Sequence, residues 1–210
     1  MIKKYWKTLL ITSLIILLPM VAGIIFWDRL PAQIPIHWNS AGEVDNYASK
    51  AVAVFALPLL MVAIQWVCTI ATGADPKKKN HSEKMLQMML WIIPLLSTVL
   101  NAVTYAVALG KEMRINLIVS LLLGLLFTVI GNYMPKCKQN YTIGIKLPWT
   151  LESEENWNKT HRFGGWVWSI GGLLVMLTGF FGGTRFFMII MLVIALAPTV
   201  YSYILHIKKK

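Results

Sequence analysis

Cysteine is almost absent from this chain. Only Cys68 and Cys137 occur in 210 residues. They form neither a C-x-x-C pair nor a metal-ligand spacing, so nothing indicates a disulfide framework or a thiolate metal site, and both thiols are read as free. Charge is scarce too, at 14% against 57% hydrophobic residues, with a mean hydropathy of +0.61. A soluble domain of this size needs roughly 25% charged residues to cover its surface. Here the apolar residues come in uninterrupted runs rather than stripes, which makes this an integral membrane protein. Acids are the scarcest charges: nine Asp and Glu face 20 Lys and Arg, a net +11. No basic stripe interleaved with aromatics lies on an amphipathic face, so the excess points to a membrane surface and not to direct nucleic-acid contact.

The chain does hold six apolar runs, each able to cross a bilayer core of about 30 Å at about 1.5 Å per residue. They lie near Thr8–Trp27, Ala51–Ala71, Met85–Leu109, Asn116–Met134, Gly165–Gly182 and Phe186–Leu205, and none contains Asp, Glu, Lys or Arg. The expected fold is all-α: a polytopic bundle of six transmembrane helices. The first run lacks a small-x-small cleavage site after it and is expected to stay as an anchor. Lys3, Lys4, Lys7, Lys77 to Lys79, Lys84, Lys136, Lys138, Lys146, Lys159, Arg162 and Lys208 to Lys210 fall on one side of the alternating spans, and only Arg29, Lys50, Lys111, Arg114 and Arg185 on the other. Positive charge is retained inside, so both termini are expected in the cytoplasm. Pro19, Pro58, Pro94 and Pro198 lie inside the runs and are expected to kink helices. The fifth run is rich in glycine, including a G-x-x-x-G at Gly179 and Gly183, which suits close helix packing within the bundle. Gln65 and Asn101 are the most central polar groups and are expected to bond across helices.

Two polar loops interrupt this pattern. The outer one, Asp28 to Lys50, contains IPIHWNSAGEVDNYASK. Its prolines favour an extended entry, Asn39-Ser40-Ala41-Gly42 signals a turn, and Ser49 suits the cap of the next helix. Trp27, Trp38 and Tyr47 suit the headgroup layer. The loop is expected to fold back as a compact cap outside the membrane. The inner one, Pro135 to Gly164, reads PKCKQNYTIGIKLPWTLESEENWNKTHRFGG. Asn140 to Thr150 reads as extended, punctuated by Gly144 and Pro148. Thr150 or Ser153 can cap a following helix whose first turn carries Glu152, Glu154 and Glu155. On that helix Trp157 and His161, four apart, share a face.

These loops carry a resemblance. LPAQIPIHWNSAGEVDNYASK resembles the DUF1648 region of bacterial membrane proteins, and GNYMPKCKQNYTIGIKLPWTLESEENWNKTHRFGG resembles the core of the SdpI family. The expected division is residues 1–84 as the DUF1648-like region, with two membrane helices, and 85–210 as the SdpI-type region, with four. The resemblance implies a non-enzymatic role in the cell membrane of a Gram-positive bacterium. Members of this kind protect a producer cell, in cannibalism, from a secreted SDP-type peptide toxin that collapses the proton-motive force. In the best-known system the toxin-engaged protein also holds a cytoplasmic ArsR-like repressor, SdpR-type, at the membrane. Carried onto this chain, the toxin-facing residues are Pro35, His37, Trp38, Asn39, Gly42, Glu43 and Asp45, with Lys50 completing the motif. The cytoplasmic signalling residues are Asn132, Pro135, Asn140, Gly144, Lys146, Pro148, Trp149, Trp157 and His161, with Gly131, Thr150 and Gly165 in the same motif. Lys146 stands where the family often has arginine, which keeps the charge but loses the planar fork.

Other chemistries find less support. His37, Glu43 and Asp45 could ligate a metal, but zinc prefers preorganised nitrogen and sulfur donors, and no metal or other cofactor is expected. A transporter exporting the toxin is a second reading, but proton-coupled carriers place acids inside the bundle, and none falls there. A membrane enzyme using His161 with Glu154 or Glu155 is a third. It lacks an H-E-x-x-H motif and offers only one cluster at one interface.

Overall fold

The computed structural model describes residues 1–208; Lys209 and Lys210, counted among the basic residues above, lie outside the described residues. Seven α-helices and one β-hairpin follow in the order α1 Ile2–Ile25, β1 Gln33–Trp38, β2 Val44–Ser49, α2 Leu57–Gly73, α3 Glu83–Ala108, α4 Ile115–Tyr133, α5 Pro148–Glu152, α6 Glu154–Phe181 and α7 Thr184–Ile207. Six of these, counting the turn before α2 and the turn after α4, are long and apolar enough to cross a membrane: Ile2–Ile25, Val52–Gly73, Glu83–Ala108, Ile115–Lys136, Glu154–Phe181 and Thr184–Ile207. The expected six-span, all-α character is therefore observed. The fifth spanning helix begins at Glu154, eleven residues before the apolar run, because the Ser153 hydroxyl accepts the Asn156 N–H and starts the helix while it is still polar.

The chain forms two compact units. The first comprises Met1–Gly73 and Leu86–Ile115. Here apolar side chains such as Leu14, Leu18 and Ile25 face outward, while Thr12, Gln65 and Ser97 are buried. That suits lipid, where buried polar bonds and close packing join helices. Gln65 Nε2 donates to Thr12 Oγ1 at 2.5 Å, from α2 to α1, as expected. Asn101 behaves differently: it donates to the Ser97 carbonyl at 2.8 Å, within α3, and Ser97 Oγ makes the interhelical bond to the Ile16 carbonyl at 3.2 Å. An asparagine side chain is short enough to fold back on the carbonyl four residues earlier. Before α2 the chain makes a π-helical turn, Val52–Ala56, where the Leu57 N–H reaches back to the Val52 carbonyl. Pro58 follows and has no N–H to donate.

The hairpin was not anticipated as paired strands. β1 and β2 run antiparallel, with Ile34 opposite Ala48 and Pro35 opposite Tyr47, and irregular pairing around His37. A two-stranded ribbon is marginal by itself. This one is held by Ile34, fully buried with Leu30, Ala53, Val54 and Tyr105. Burying one such side chain stabilises the attachment by roughly 2 kcal/mol.

The second unit comprises Ala74–Met85 and the chain from Asn116 onward. α4 and α6 meet backbone to backbone. A Cβ on Gly165 would fall 2.8 Å from the Gly131 carbonyl oxygen, and one on Gly172 would fall 2.5 Å from that of Gly124. Gly179 packs in the same way, 2.8 Å from Ser120 Cβ, whereas Gly183 meets only Phe186, at 3.3 Å. Thus one glycine of the G-x-x-x-G is a packing residue, and the other opens α7.

Candidate functional site

In the first unit the outer loop presents polar groups on a fixed turn. Asn39 Oδ1 accepts the N–H groups of Ala41 and Glu43 at 2.8 and 3.1 Å, and its Nδ2 donates to Glu43 at 3.2 Å. Gly42 takes φ +85°, a backbone angle that glycine tolerates without strain. His37 Nδ1 and Asp45 Oδ1 lie 2.6 Å apart across the strands, with the two side chains 65% and 41% exposed. Pro35 is buried at the base, and Trp38 is half-buried. Lys50 Nζ ties the end of the hairpin back to the Trp27 carbonyl at 2.8 Å and lies over the Trp27 ring. Ser49 Oγ accepts the Val52 N–H at 3.4 Å, so it caps the turn that leads into α2.

In the second unit the inner loop is compact, not extended. Asn140 is its organiser: Oδ1 accepts the N–H groups of Thr142 and Ile143 at 2.9 and 2.7 Å, and Nδ2 donates to the carbonyls of Lys138 and Ile143, each at 2.9 Å. Thr150 is buried and serves α5 rather than capping α6. Its hydroxyl accepts the Leu147 N–H and lies 2.9 Å from the Ile145 and Leu147 carbonyls. Trp157 and His161 do share a face, stacked with ring centroids 4.0 Å apart, and both are fully buried. Trp157 Nε1 donates to the Cys137 carbonyl at 2.7 Å. His161 Nε2 accepts the Ile145 N–H at 3.0 Å, which leaves Nδ1 as the donor to the Trp157 carbonyl at 2.8 Å. The imidazole is thus neutral, with its proton on Nδ1. Both nitrogens are used to hold the loop, so neither is offered to a substrate. Gly144 takes φ +120°, and a Cβ there would collide with His161 Nε2. The Cys137 thiol is pushed up to about 11 by burial, against the Asn140 side chain, and stays protonated.

Of the expected cytoplasmic residues, Asn140, Trp157 and His161 therefore shape the loop from within. Asn132, Pro135, Gly144, Lys146 and Pro148 are exposed, and Trp149 is half-buried. Lys146 Nζ donates to the Thr142 carbonyl at 3.0 Å, a single bond that does not need the arginine fork.

Sequence reasoning missed the other half of this site. The segment Ala74–Ser82 folds against the inner loop through Asp75, whose side chain is 0% exposed. Its carboxylate accepts the N–H groups of Lys77 and Tyr141 at 2.7 and 2.9 Å and the Thr142 hydroxyl at 2.9 Å, and lies 3.2 Å from His81 Nε2. Burial alone would raise this carboxyl, but the Lys77 N–H, the Thr142 hydroxyl, the Tyr141 N–H and His81 together hold it below its ordinary value. Gln139 adds a second clamp: it accepts from Lys77 Nζ and donates to the Thr150 and Leu151 carbonyls, each at 2.9 Å. The available signal was Asp75 and His81 inside DPKKKNHSEK, a segment whose lysines had been read only for orientation.

Both loops bear on relationship. The SdpI/YfhL protein family matches residues 136–202, and a domain of unknown function, DUF1648, matches residues 14–62. Over 196 residues the chain is 31% identical to the Immunity protein SdpI of Bacillus subtilis (strain 168), covering 93% of this chain and 92% of that protein. The chain belongs to the SdpI/YfhL family. An uncharacterised membrane protein of the same organism, YbgB, is 37% identical over 46 residues, 22% of this chain and 50% of that one. No solved structure matches. With six spanning helices and this family, the protein is a multi-pass membrane protein. The two family matches take in the whole outer loop and all of the inner loop but Pro135, and they leave Asp75 and His81 outside either.

Proposed function

We propose that this chain is a non-enzymatic immunity protein that protects its cell from a secreted SDP-type peptide toxin. The observation that carries this reading is the likeness, along nearly the whole chain, to a protein named for immunity. The hairpin Gln33–Ser49 is the toxin-facing element in this reading, because its polar groups sit on an ordered, exposed turn. Positive charge retained inside orients that hairpin outward and both termini inward. The inner loop, with exposed Lys146 and Pro148, together with Asn132 at the end of α4, is the surface for a cytoplasmic repressor of the ArsR-like class. Such signalling requires two states of the protein with different affinity for that partner, since a ligand shifts only an equilibrium it distinguishes.

The test is deletion and re-expression in the native cell, with purified SDP-type peptide added and membrane potential as readout. Protection that returns with the gene supports immunity. Equal depolarisation with and without the protein overturns it. Repressor capture is scored separately, by whether the repressor moves to the membrane fraction when peptide is added.

A further inference from the structure

In the second unit a cavity of about 290 Å³ opens where α6 begins and α7 ends. Its volume lies at the low end of the about 300–1,000 Å³ range of small-molecule sites, room for a headgroup but not for a whole lipid. Both helices are candidate membrane spans, so their ends put the cavity at the level of the membrane–water interface. The aromatic residues around it suit that level. Trp149 forms one wall, fixed by donating Nε1 to Ser202 Oγ at 2.9 Å and by packing edge-on against Tyr203 at 5.4 Å. Tyr203 is half exposed, so its ring offers apolar surface beside the Trp149 wall of the cavity.

The charges on the wall are unequal. Lys159 Nζ is paired with Glu155 at 2.7 Å, so those two cancel. Lys208 also lines the cavity, and its ammonium makes no ion pair or hydrogen bond among the described residues. His206 stacks on Trp149, centroids 5.7 Å apart, and its ring nitrogens are likewise without a hydrogen bond among the described residues. Ser153 Oγ accepts the Asn156 N–H, leaving its own hydrogen to donate. An ammonium without a partner among the described residues, an imidazole, a hydroxyl and an adjoining apolar surface describe a receptor for a singly charged anion attached to a hydrocarbon.

We propose that this cavity binds the phosphodiester headgroup of an anionic glycerophospholipid, with Lys208, His206 and Ser153 on the phosphate and the acyl chains leaving past Tyr203. A basic recess between spanning helices at the interface is where such headgroups are held. Charge-assisted bonds to phosphate supply the selectivity over zwitterionic lipid. This goes beyond the immunity reading and does not depend on it.

The experiment uses the purified full-length chain in detergent, with lipid retention read by native mass spectrometry. Phosphatidylglycerol, phosphatidylcholine and inorganic phosphate are offered in separate arms. Wild type is expected to retain one phosphatidylglycerol in preference to phosphatidylcholine. Lys208→Gln is expected to weaken that retention about tenfold, the size of one charge-assisted bond. His206→Phe keeps the stack on Trp149 and removes the donors, and it should weaken retention while leaving the thermal midpoint in place. Lys3→Gln, the same charge change on α1 in the other unit, should leave retention as it was. Equal retention of the two lipids overturns the proposal, as does equal loss in Lys3→Gln and Lys208→Gln. Displacement of phosphatidylglycerol by inorganic phosphate at similar concentration also overturns it, because the site would then be one for free phosphate.

Discussion

Thr142 donates its hydroxyl to the Asp75 carboxylate at 2.9 Å, across 67 residues of sequence. The bond is one of four polar contacts on a carboxylate with no exposure to water. A buried charge of this kind holds two loops in one register only while all its donors are met. Asp75→Asn would leave one acceptor oxygen and turn an amide N–H₂ toward existing donors. It is expected to destabilise the protein by about 3 kcal/mol. Thr142→Val removes one donor of the set and should cost about 1 kcal/mol. Unfolding of the detergent-solubilised proteins measures both, and a Thr142→Val loss equal to that of Asp75→Asn would contradict the clamp.

The same carboxylate makes stability depend on acid. Its folded-state value is depressed, so the unfolded chain binds its proton more readily. The stabilisation is then fully present above the unfolded value of about 3.9, and it is lost as pH falls through the lower folded value. The stability gap between wild type and Asp75→Asn should be widest near neutrality and shrink below about pH 4. A gap that stays constant into strong acid would show that the charge is not the source of the stability.

His161 is a structural residue, and its substitutions should say so. His161→Phe keeps the stack on Trp157 but leaves the half-buried Ile145 N–H without its acceptor. The expected cost is about 1–3 kcal/mol. Gly144→Ala adds strain at φ +120° and a collision with the same ring nitrogen, so it is expected to cost about 2 kcal/mol or more. Because both act on one contact, the double variant should lose less than the sum. Additive losses, measured by unfolding, would break the link between them.

The α4–α6 contact separates two glycines that look alike in sequence. Gly172→Ala would place a Cβ 2.6 Å from the Thr128 backbone nitrogen, while Gly183→Ala meets nothing closer than Phe186 Cδ2 at 3.3 Å, with φ at an ordinary −85°. The first should destabilise by about 1–3 kcal/mol, as overpacking does. The second should stay within about 0.5 kcal/mol of wild type. Thermal unfolding in detergent ranks them, and the reverse order would refute this packing.

The helices were legible because bilayer thickness writes itself into run length, and Gly165 and Gly179 because lipid offers helices little else to pack with. The start of α6 was legible only as one of two candidate caps, Thr150 or Ser153, since hydropathy marks where a helix enters lipid, whereas the Ser153 cap marks where it forms. The strands were obscured for a different reason. Val44–Ser49 carries little apolar alternation, and only Ile34 and Pro35 of β1 are buried. The turn at Asn39–Gly42 was readable because it depends on local chemistry. Asp75 was not, because its meaning lies in donors contributed from Tyr141 and Thr142. An acid in a lysine-rich segment reads as solvated until the fold brings those donors to it.

The hairpin gives the sharpest division between recognition and stability. His37 and Asp45 pair at 2.6 Å, but both are substantially exposed, so the pair is expected to contribute under about 1 kcal/mol. Asn39 is different, because its side chain holds the turn through bonds to Ala41, Glu43 and the Glu43 carboxylate. His37→Ala and Asp45→Ala should therefore fold as wild type does, while Asn39→Ala should loosen the turn. If this face meets the toxin, each of the first two lowers protection at normal expression, measured as membrane potential after peptide addition. Protection retained by both, with protection lost only in Asn39→Ala, would mean that the toxin reads the shape of the turn and not this pair.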